Sequence, residues 1–440
     1  QQPMHVAGLQ LFSFPEGAST KYVSELAESM REYSCPVPPF NQRVTSRFGQ
    51  MLWTEDKQFD IDHHFRHEAL PKPGRIRELL ARVSAEHSNL LDRERPLWEA
   101  HLIEGIRGKR FALYTKIHHS MVDGVSAMRL GMRALSTDPE ERDLPPVWAY
   151  QPRRKPRVLP SNPVDAVSGL ARLTAGMSRQ IATVPALARE VYSIMQKARK
   201  NPDHVSIFQA PQSILNTRIT GSSRFAEQSY SMDRIRAIGK KFDCTVNDVV
   251  LASCGSALRD YLISQNELPD EPLIAMVPVS LRQDDSVEGN QIAIILANLG
   301  THVADPTNRI RMIKASVEES KARYRQMTPE EILNFTALML APTGITLTTG
   351  MAPKLQAFNV VISNVPGPKE PLYWNGARLE GMYPVSIPFD RVALNITLTS
   401  YVDQLEFGLI ACRRTLPSMQ RLLDYLENGI HELEVAAGIR

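Results

Sequence analysis

Lys116 to Ser126 reads KIHHSMVDGVS, two adjacent histidines followed by an Asp-Gly pair. Imidazole, with a pKa near ~6.5, can take and return a proton at neutral pH, and it is a frequent metal ligand. Three chemistries therefore compete with a structural reading: a metal site, a serine nucleophile with its base, and a single general base. Along FALYTKIHH, strand alternation puts Leu113, Thr115, Ile117 and His119 on one face and Ala112, Tyr114, Lys116 and His118 on the other. Histidines that point apart do not readily chelate one ion, and the i, i+4 spacing of a helical H-E-x-x-H site is missing, so no metal is expected. Ser120 adjoins His119, but sequence neighbours seldom align for in-line proton transfer, and no G-x-S-x-G elbow surrounds it. What remains is a general base, with His119 the better candidate, beside the structural alternative. In that alternative Asp123 caps the helix GVSAMRLGMRALS, whose Val125, Met128, Met132 and Leu135 have helical spacing, and both histidines are packed. The two roles of Asp123 are compatible, because a cap fixes the loop that aims the histidine.

The elements that must position these residues alternate. HVAGLQLFSF reads as a strand, TKYVSELAESMREY as an amphipathic helix, and LWEAHLIEGI and FALYTKIHH as consecutive strands. From Leu144 to Pro163 the chain turns Pro- and Arg-rich without period 2 or 3.6, which marks a linker; VPALAREVYSIMQKARK then reads as a surface helix, with membrane-surface contact as the sharper alternative. Another α/β unit follows: the strand RFAEQSYSM, then helices DRIRAIGKKF and TVNDVVLASCGSALRDYLI with caps expected at Asp233 and Thr245. LIAMVPVSLR and NQIAIILANLGTH are strands, and a long helix opens at Asp305-Pro306, where Asp can cap and Pro fits the first helical position. Four more strands, FNVVISNVPGP, ARLEGMYPV, ALNITLTSYV and LEFGLIACRR, precede a helix from about Pro417. The expected division is a first domain over 1–143, linker and surface helices over 144–210, and a second domain over 211–440.

With 440 residues, 43% hydrophobic and 22% charged, the chain can bury a sizeable core in two domains. A net charge of +3 without a Lys/Arg block gives no indication of a nucleic-acid partner. The cysteines Cys35, Cys244, Cys254 and Cys412 are scattered without C-x-x-C spacing, which fits a reducing cytosol better than a disulfide framework. The longest apolar runs fall well short of the roughly 20 residues a membrane span requires. The chain enters a strand almost at once without an initiator Met, so a leading segment is expected upstream.

His118-His119-Ser120-Met121-Val122-Asp123-Gly124 resembles H-H-x-x-x-D-G, the signature of the chloramphenicol acetyltransferase-like acyltransferase superfamily. Three further stretches resemble motifs of the bacterial wax ester synthase/diacylglycerol acyltransferase (WS/DGAT) family, in the family's order: Pro96-Leu97-Trp98, Asn247-Asp248 and Asn364-Val365-Pro366-Gly367-Pro368. The resemblance covers nearly the whole chain. The plant alcohol acyltransferase signature D-F-G-W-G has no counterpart, nothing resembles a carrier-protein or adenylation module, and the family's usual first helix is missing. Each stretch also has a structural reading: Trp98 as a buried aromatic at a strand entry, Asn247-Asp248 in the first turn of a helix capped by Thr245, and Pro366-Gly367-Pro368 as a stiff turn shaping the cleft. His63, His64 and His67 in DIDHHFRHEAL lack the Asp-Gly partner and read as surface or domain-contact residues.

The resemblance implies an α/β fold of two chloramphenicol acetyltransferase-like domains, each a mixed β-sheet flanked by helices, joined by a linker, with the active site in a tunnel between them. It implies a CoA-dependent O-acyltransferase that carries a long-chain acyl group from acyl-CoA to a fatty alcohol and to diacylglycerol, without an acyl-enzyme. The alternatives are a related acyltransferase with another acceptor, or a non-catalytic member that binds acyl-CoA or lipid. His119 would be the general base and His118 its support. Asp123 would orient the loop and Gly124 leave room for substrate, while Asn247 would hydrogen-bond near the reacting centre, supported by Asp248. Acyl-CoA would be a substrate with no permanent cofactor, and the protein cytoplasmic, with contact to membrane or lipid-inclusion surfaces. No Gly-rich loop marks the contacts for the CoA phosphates.

Overall fold

A computed structural model describes residues 3–47, 50–122, 124–150, 205, 208–280, 292–328, 331–332, 335–340 and 356–439. The first half contains strands β1 (His5–Ser13), β2 (Gln42–Arg47), β3 (Gln50–Glu55), β4 (Phe65–Ala69), β5 (Trp98–Ile106) and β6 (Arg110–His118). Its helices are α1 (Tyr22–Glu32), α2 (Ile61–His64), α3 (Ile76–Ser88) and α4 (Gly124–Arg133). The second half adds β7 (Ser223–Ser231), α5 (Met232–Phe242), α6 (Val246–Ser264), β8 (Ile274–Ser280), β9 (Ile292–Asn298) and α7 (Pro306–Arg325). It ends with β10 (Val360–Val365), β11 (Tyr373–Trp374), β12 (Ala377–Val385), β13 (Leu394–Tyr401), β14 (Gln404–Cys412) and α8 (Arg421–Ala436). The helix expected in VPALAREVYSIMQKARK lies outside the described residues.

Two six-stranded mixed sheets carry the structure, ordered β11-β12-β1-β6-β5-β4 and β7-β14-β13-β10-β8-β9. In the first, only β4 and β5 run parallel; in the second, β10 is parallel to both β13 and β8. Helices flank both sheets, as the α/β reading expects. One topological feature was not visible in the sequence: β11 and β12, from the second half of the chain, join the first sheet, where Ala7 pairs with Val385 across β1 and β12. The sheets meet there, and Gly408 of β14 lies so close to β12 that a Cβ would stand 1.9 Å from the Pro384 carbonyl oxygen. The edge strand β7 is covered by α3, whose Ser88 and Ser84 hydroxyls accept from the Ser223 and Phe225 amides at 2.9 Å each.

The core follows strand alternation. In the second sheet Val360, Ile362, Leu394, Ile396, Ala275 and Val277 pack under α6. Their alternates Val361, Ser363, Asn395, Thr397, Met276 and Pro278 face the other way. Two of the expected helix starts follow the local chemistry. Thr245 forms a capping box with Asp248, and Asp305 accepts from the Asn308 amide with Pro306 in the first turn. Asp233 is not the cap of α5; Ser231 stands at that position and Asp233 sits in the first turn, where its charge favours the helix dipole. The reading of the DIDHHFRHEAL histidines also needs correction. His64 is buried, donates Nδ1–H to the Trp98 carbonyl at 2.7 Å, and stacks between Phe59 and Trp98.

Candidate active site

A cavity of about 540 Å³ lies between the sheets and α4. Its floor is built from the central strands of the first sheet: Leu113, Thr115, Ile117 and His119 of β6 and its extension, beside Met4, Val6, Gly8 and Gln10 in and just before β1. Period-2 alternation is the cause, and it brings His119 to the cavity while turning His118 away. The chain at His119 is fixed by its amide, which donates to the Met4 carbonyl at 2.8 Å. The wall from the second sheet carries Ser363, Asn395 and Thr397 among apolar neighbours.

His118 is half-buried. Its Nδ1 accepts from the Ser120 amide at 3.2 Å and lies 2.7 Å from Ser120 Oγ, which leaves the proton of a neutral ring on Nε2. Burial, Arg93 and His119 lower its pKa, so it is neutral at neutral pH. Behind it, on the face away from the cavity, Lys116 is fully buried with Nζ 3.1 Å from Glu99 and donates to the Glu86 and Asn89 carbonyls. Ser120 is not held as a nucleophile by His119; its hydroxyl partner is His118.

The other expected site residues are placed as follows. Asp123 lies outside the described residues, and Gly124 is the first residue of α4. Asn247 and Asp248 occupy the first turn of α6, which packs on the face of the second sheet opposite the cavity; the structure does not bring them to His119. Asp248 closes the capping box, accepting from the Thr245 amide at 2.9 Å. Trp98 is buried with its indole N–H donating to the Phe40 carbonyl, and Val365 of the Pro-Gly-Pro stretch lines the cavity. Gln10, Ser363, Asn395 and Thr397 escaped the sequence reading. Their signal was there: each is a polar residue at an inward-facing position of a largely apolar strand.

Among the described residues one group has metal-ligand spacing, Glu86, Glu99 and His101, with ligand atoms within 4.8 Å of one another. Its carboxylates are already neutralised, Glu86 by Arg82 at 2.8 Å and Glu99 by Lys116, and it lies on the far side of the first sheet from His119. The four cysteines are free.

Residues 1–250 match the wax ester synthase/diacylglycerol acyltransferase catalytic domain, and residues 288–434 match the WS/DGAT C-terminal domain. The chain belongs to the WS/DGAT family. It is 52% identical to the O-acyltransferase WSD of Acinetobacter baylyi, over 99% of this chain and 93% of that protein. It is 43% identical to the probable diacylglycerol O-acyltransferase tgs2 of Mycobacterium tuberculosis, over 100% of this chain and 96% of that protein. The solved WS/DGAT structure from Marinobacter aquaeolei VT8 superposes with a TM-score of 0.81 at 54% identity, covering 100% of this chain and 96% of that one. The first condensation domain of the CDA synthetase, at 13% identity and a TM-score of 0.56, shares the fold alone.

Proposed function

We propose that this WS/DGAT member is a CoA-dependent O-acyltransferase that moves a long-chain acyl group from acyl-CoA to a fatty alcohol and to diacylglycerol, with His119 as general base. The observation that carries the assignment is that His119, and not His118, opens onto a large, mainly apolar cavity between the two sheets. An alcohol's pKa lies far above that of imidazole, so proton transfer to His119 must accompany attack of the oxygen on the thioester carbonyl. The tetrahedral intermediate then expels CoA thiolate, a better leaving group than an alkoxide, and protonated His119 returns the proton to sulfur. Both substrates are held at once, so much of the advantage is positional; an oxyanion donor adds roughly 3 kcal/mol. Cavity-lining Ser363 and Asn395 are better placed for that role than Asn247, which this reading leaves as a helix-start residue beside Asp248. His118 supports the loop through Ser120.

The test is thiol release from palmitoyl-CoA in the presence of hexadecanol. Release should require both substrates and fall roughly 10²–10⁴-fold in His119→Ala. Unchanged turnover in that variant would sink the mechanism, and acyl-CoA binding without any release would favour a non-catalytic lipid-binding role.

The acceptors are lipids, so we place the working enzyme in the cytoplasm at membrane or lipid-inclusion surfaces. Exposed Met51, Leu52 and Trp53 on the β2–β3 hairpin support this, Met51 at 82% exposure. Among the described residues no helix is long and apolar enough to cross a membrane. Trp53→Ser should weaken co-sedimentation with phospholipid vesicles without changing turnover of a detergent-dispersed alcohol.

A further inference from the structure

The cavity floor is ordered in rows across three paired strands. Gly8 of β1 pairs with Thr115 of β6 and Pro384 of β12; one row deeper, Gln10 pairs with Leu113 and Met382. Nearer the base, Val6 pairs with Ile117, and Met4 bonds to His119. The distance from His119 to the Leu113 row is roughly 20 Å at about 3.4 Å per residue. A lipid chain filling one leaflet of a bilayer spans roughly 15 Å, half the hydrocarbon core. The floor is therefore long enough for one such chain, laid out from the base.

Two glycines open the space above this floor. Gly8 lies in the interior of a central strand, where glycine weakens the strand and often marks close approach of a ligand. A Cβ added there would meet only the Met128 sulfur of α4, at 4.0 Å, so a larger side chain would enter the cavity and not the backbone. Gly131 lies inside α4, where glycine costs about 1 kcal/mol relative to Ala. A Cβ there would stand 3.8 Å from Gln10 Nε2. Both costly residues thus face one channel between α4 and the sheet. Beside Gly131 the Gln10 amide is buried, and among the described residues its nitrogen makes long contacts, 3.5 Å to the Gly131 carbonyl and 3.9 Å to the Met382 sulfur. An amide so weakly satisfied is a poor neighbour for further methylenes, and it interrupts an apolar lining that continues past it at Leu135 and Trp374.

We infer that the channel between β1 and α4 holds the extended alkyl chain of one substrate, with Gly8 and Gly131 giving it passage and Gln10 setting its maximum length. The inference rests on the acyl-transfer reading, which supplies the chain, but it concerns where that chain lies. The two sources of an alkyl chain are the acyl group and the alcohol, and the experiment separates them.

Gly8→Leu is assayed with octanoyl- to stearoyl-CoA against hexadecanol, and with octanol to octadecanol against palmitoyl-CoA. One profile should lose its long chains, with long-over-short selectivity falling roughly tenfold or more, while the other keeps its shape. The profile that shifts names the substrate. Gln10→Ala should shift the same profile toward longer chains. Gly131→Leu, which enters from the helix side, repeats the block if Gly8→Leu does not fold. If neither series is turned over, displacement of a fluorescent fatty acid by palmitate and by octanoate reads the channel directly, and the acyl-transfer reading fails separately. Folded Gly8→Leu or Gly131→Leu with both profiles unchanged, or with unchanged palmitate-over-octanoate displacement, would overturn the assignment.

Discussion

His119 and His118 are adjacent and chemically alike, yet one opens onto the cavity and the other is tied to Ser120. The roles proposed for them predict different losses. His118→Ala removes the acceptor for the Ser120 amide and should lower kcat about tenfold with little change in KM. His118→Asn, which keeps an acceptor near Nδ1, should recover most of that loss, whereas His119→Asn should not recover the activity lost in His119→Ala. Equal rescue at both positions would contradict the division of roles. Behind the motif, Lys116 is fully buried against Glu99. Lys116→Met leaves Glu99 with Arg66 at 3.4 Å and His101 at 3.6 Å, and should destabilise the fold by about 3 kcal/mol, read as a lower urea midpoint.

At the scale of elements, the cavity depends on how closely the two sheets approach at β12 and β14. Gly408 permits that approach, because any Cβ there would collide with the Pro384 carbonyl, a backbone atom that cannot rotate away. Gly408→Ala must therefore shift β14 or β12, and Pro384 itself lines the cavity. The expected outcome is a loss of about 3 kcal/mol in thermal unfolding together with reduced turnover. A stable, fully active Gly408→Ala protein would show that the seam does not hold the cavity. The Ser84 and Ser88 caps on β7 act differently: they bond to a sheet edge and do not line the cavity, and Ser84→Ala should cost stability of about 1 kcal/mol while leaving turnover intact.

For the whole molecule, the same seam carries a pH dependence. Glu406 and Glu227 meet Ser229 and Tyr383 between the sheets, and burial pushes each carboxyl up to about 7, reinforced for Glu406 by the charges of Glu227 and Asp403. A carboxyl raised in the folded state binds more protons there than in the unfolded chain, where it titrates near 4.5. Its contribution is therefore complete below about 4.5 and is lost as pH rises through about 7. Other groups work in the opposite sense. Desolvation lowers His5 to about 4, and Glu68 is held at about 2, against its own desolvation, by hydrogen bonds from His101 and Arg82. A difference measurement isolates the seam. The Tm of Glu406→Gln relative to the parent should rise steadily from about pH 5 to about pH 8, and a constant difference would remove the seam from the pH response.

Local rules made much of this legible. Period 2 along FALYTKIHH separated the histidines, Thr245 and Asp305 cap the helices they were expected to cap, and the spaced motifs named the family, because each depends on residues a few positions apart. Local rules also failed where a neighbour in space outranked a neighbour in sequence. Asp233 yielded the cap to Ser231, and His64 was drawn into an aromatic stack with Phe59 and Trp98. The cavity itself was decided only by tertiary structure. Gly8 faces it between Thr115 and Pro384, and Ser363 and Asn395 reach it from a second sheet; pairings across hundreds of residues are fixed by which faces bury together, and no local pattern records them. The sequence by itself determined which face of its strand carries His119, while the folded chain determined what that face looks onto.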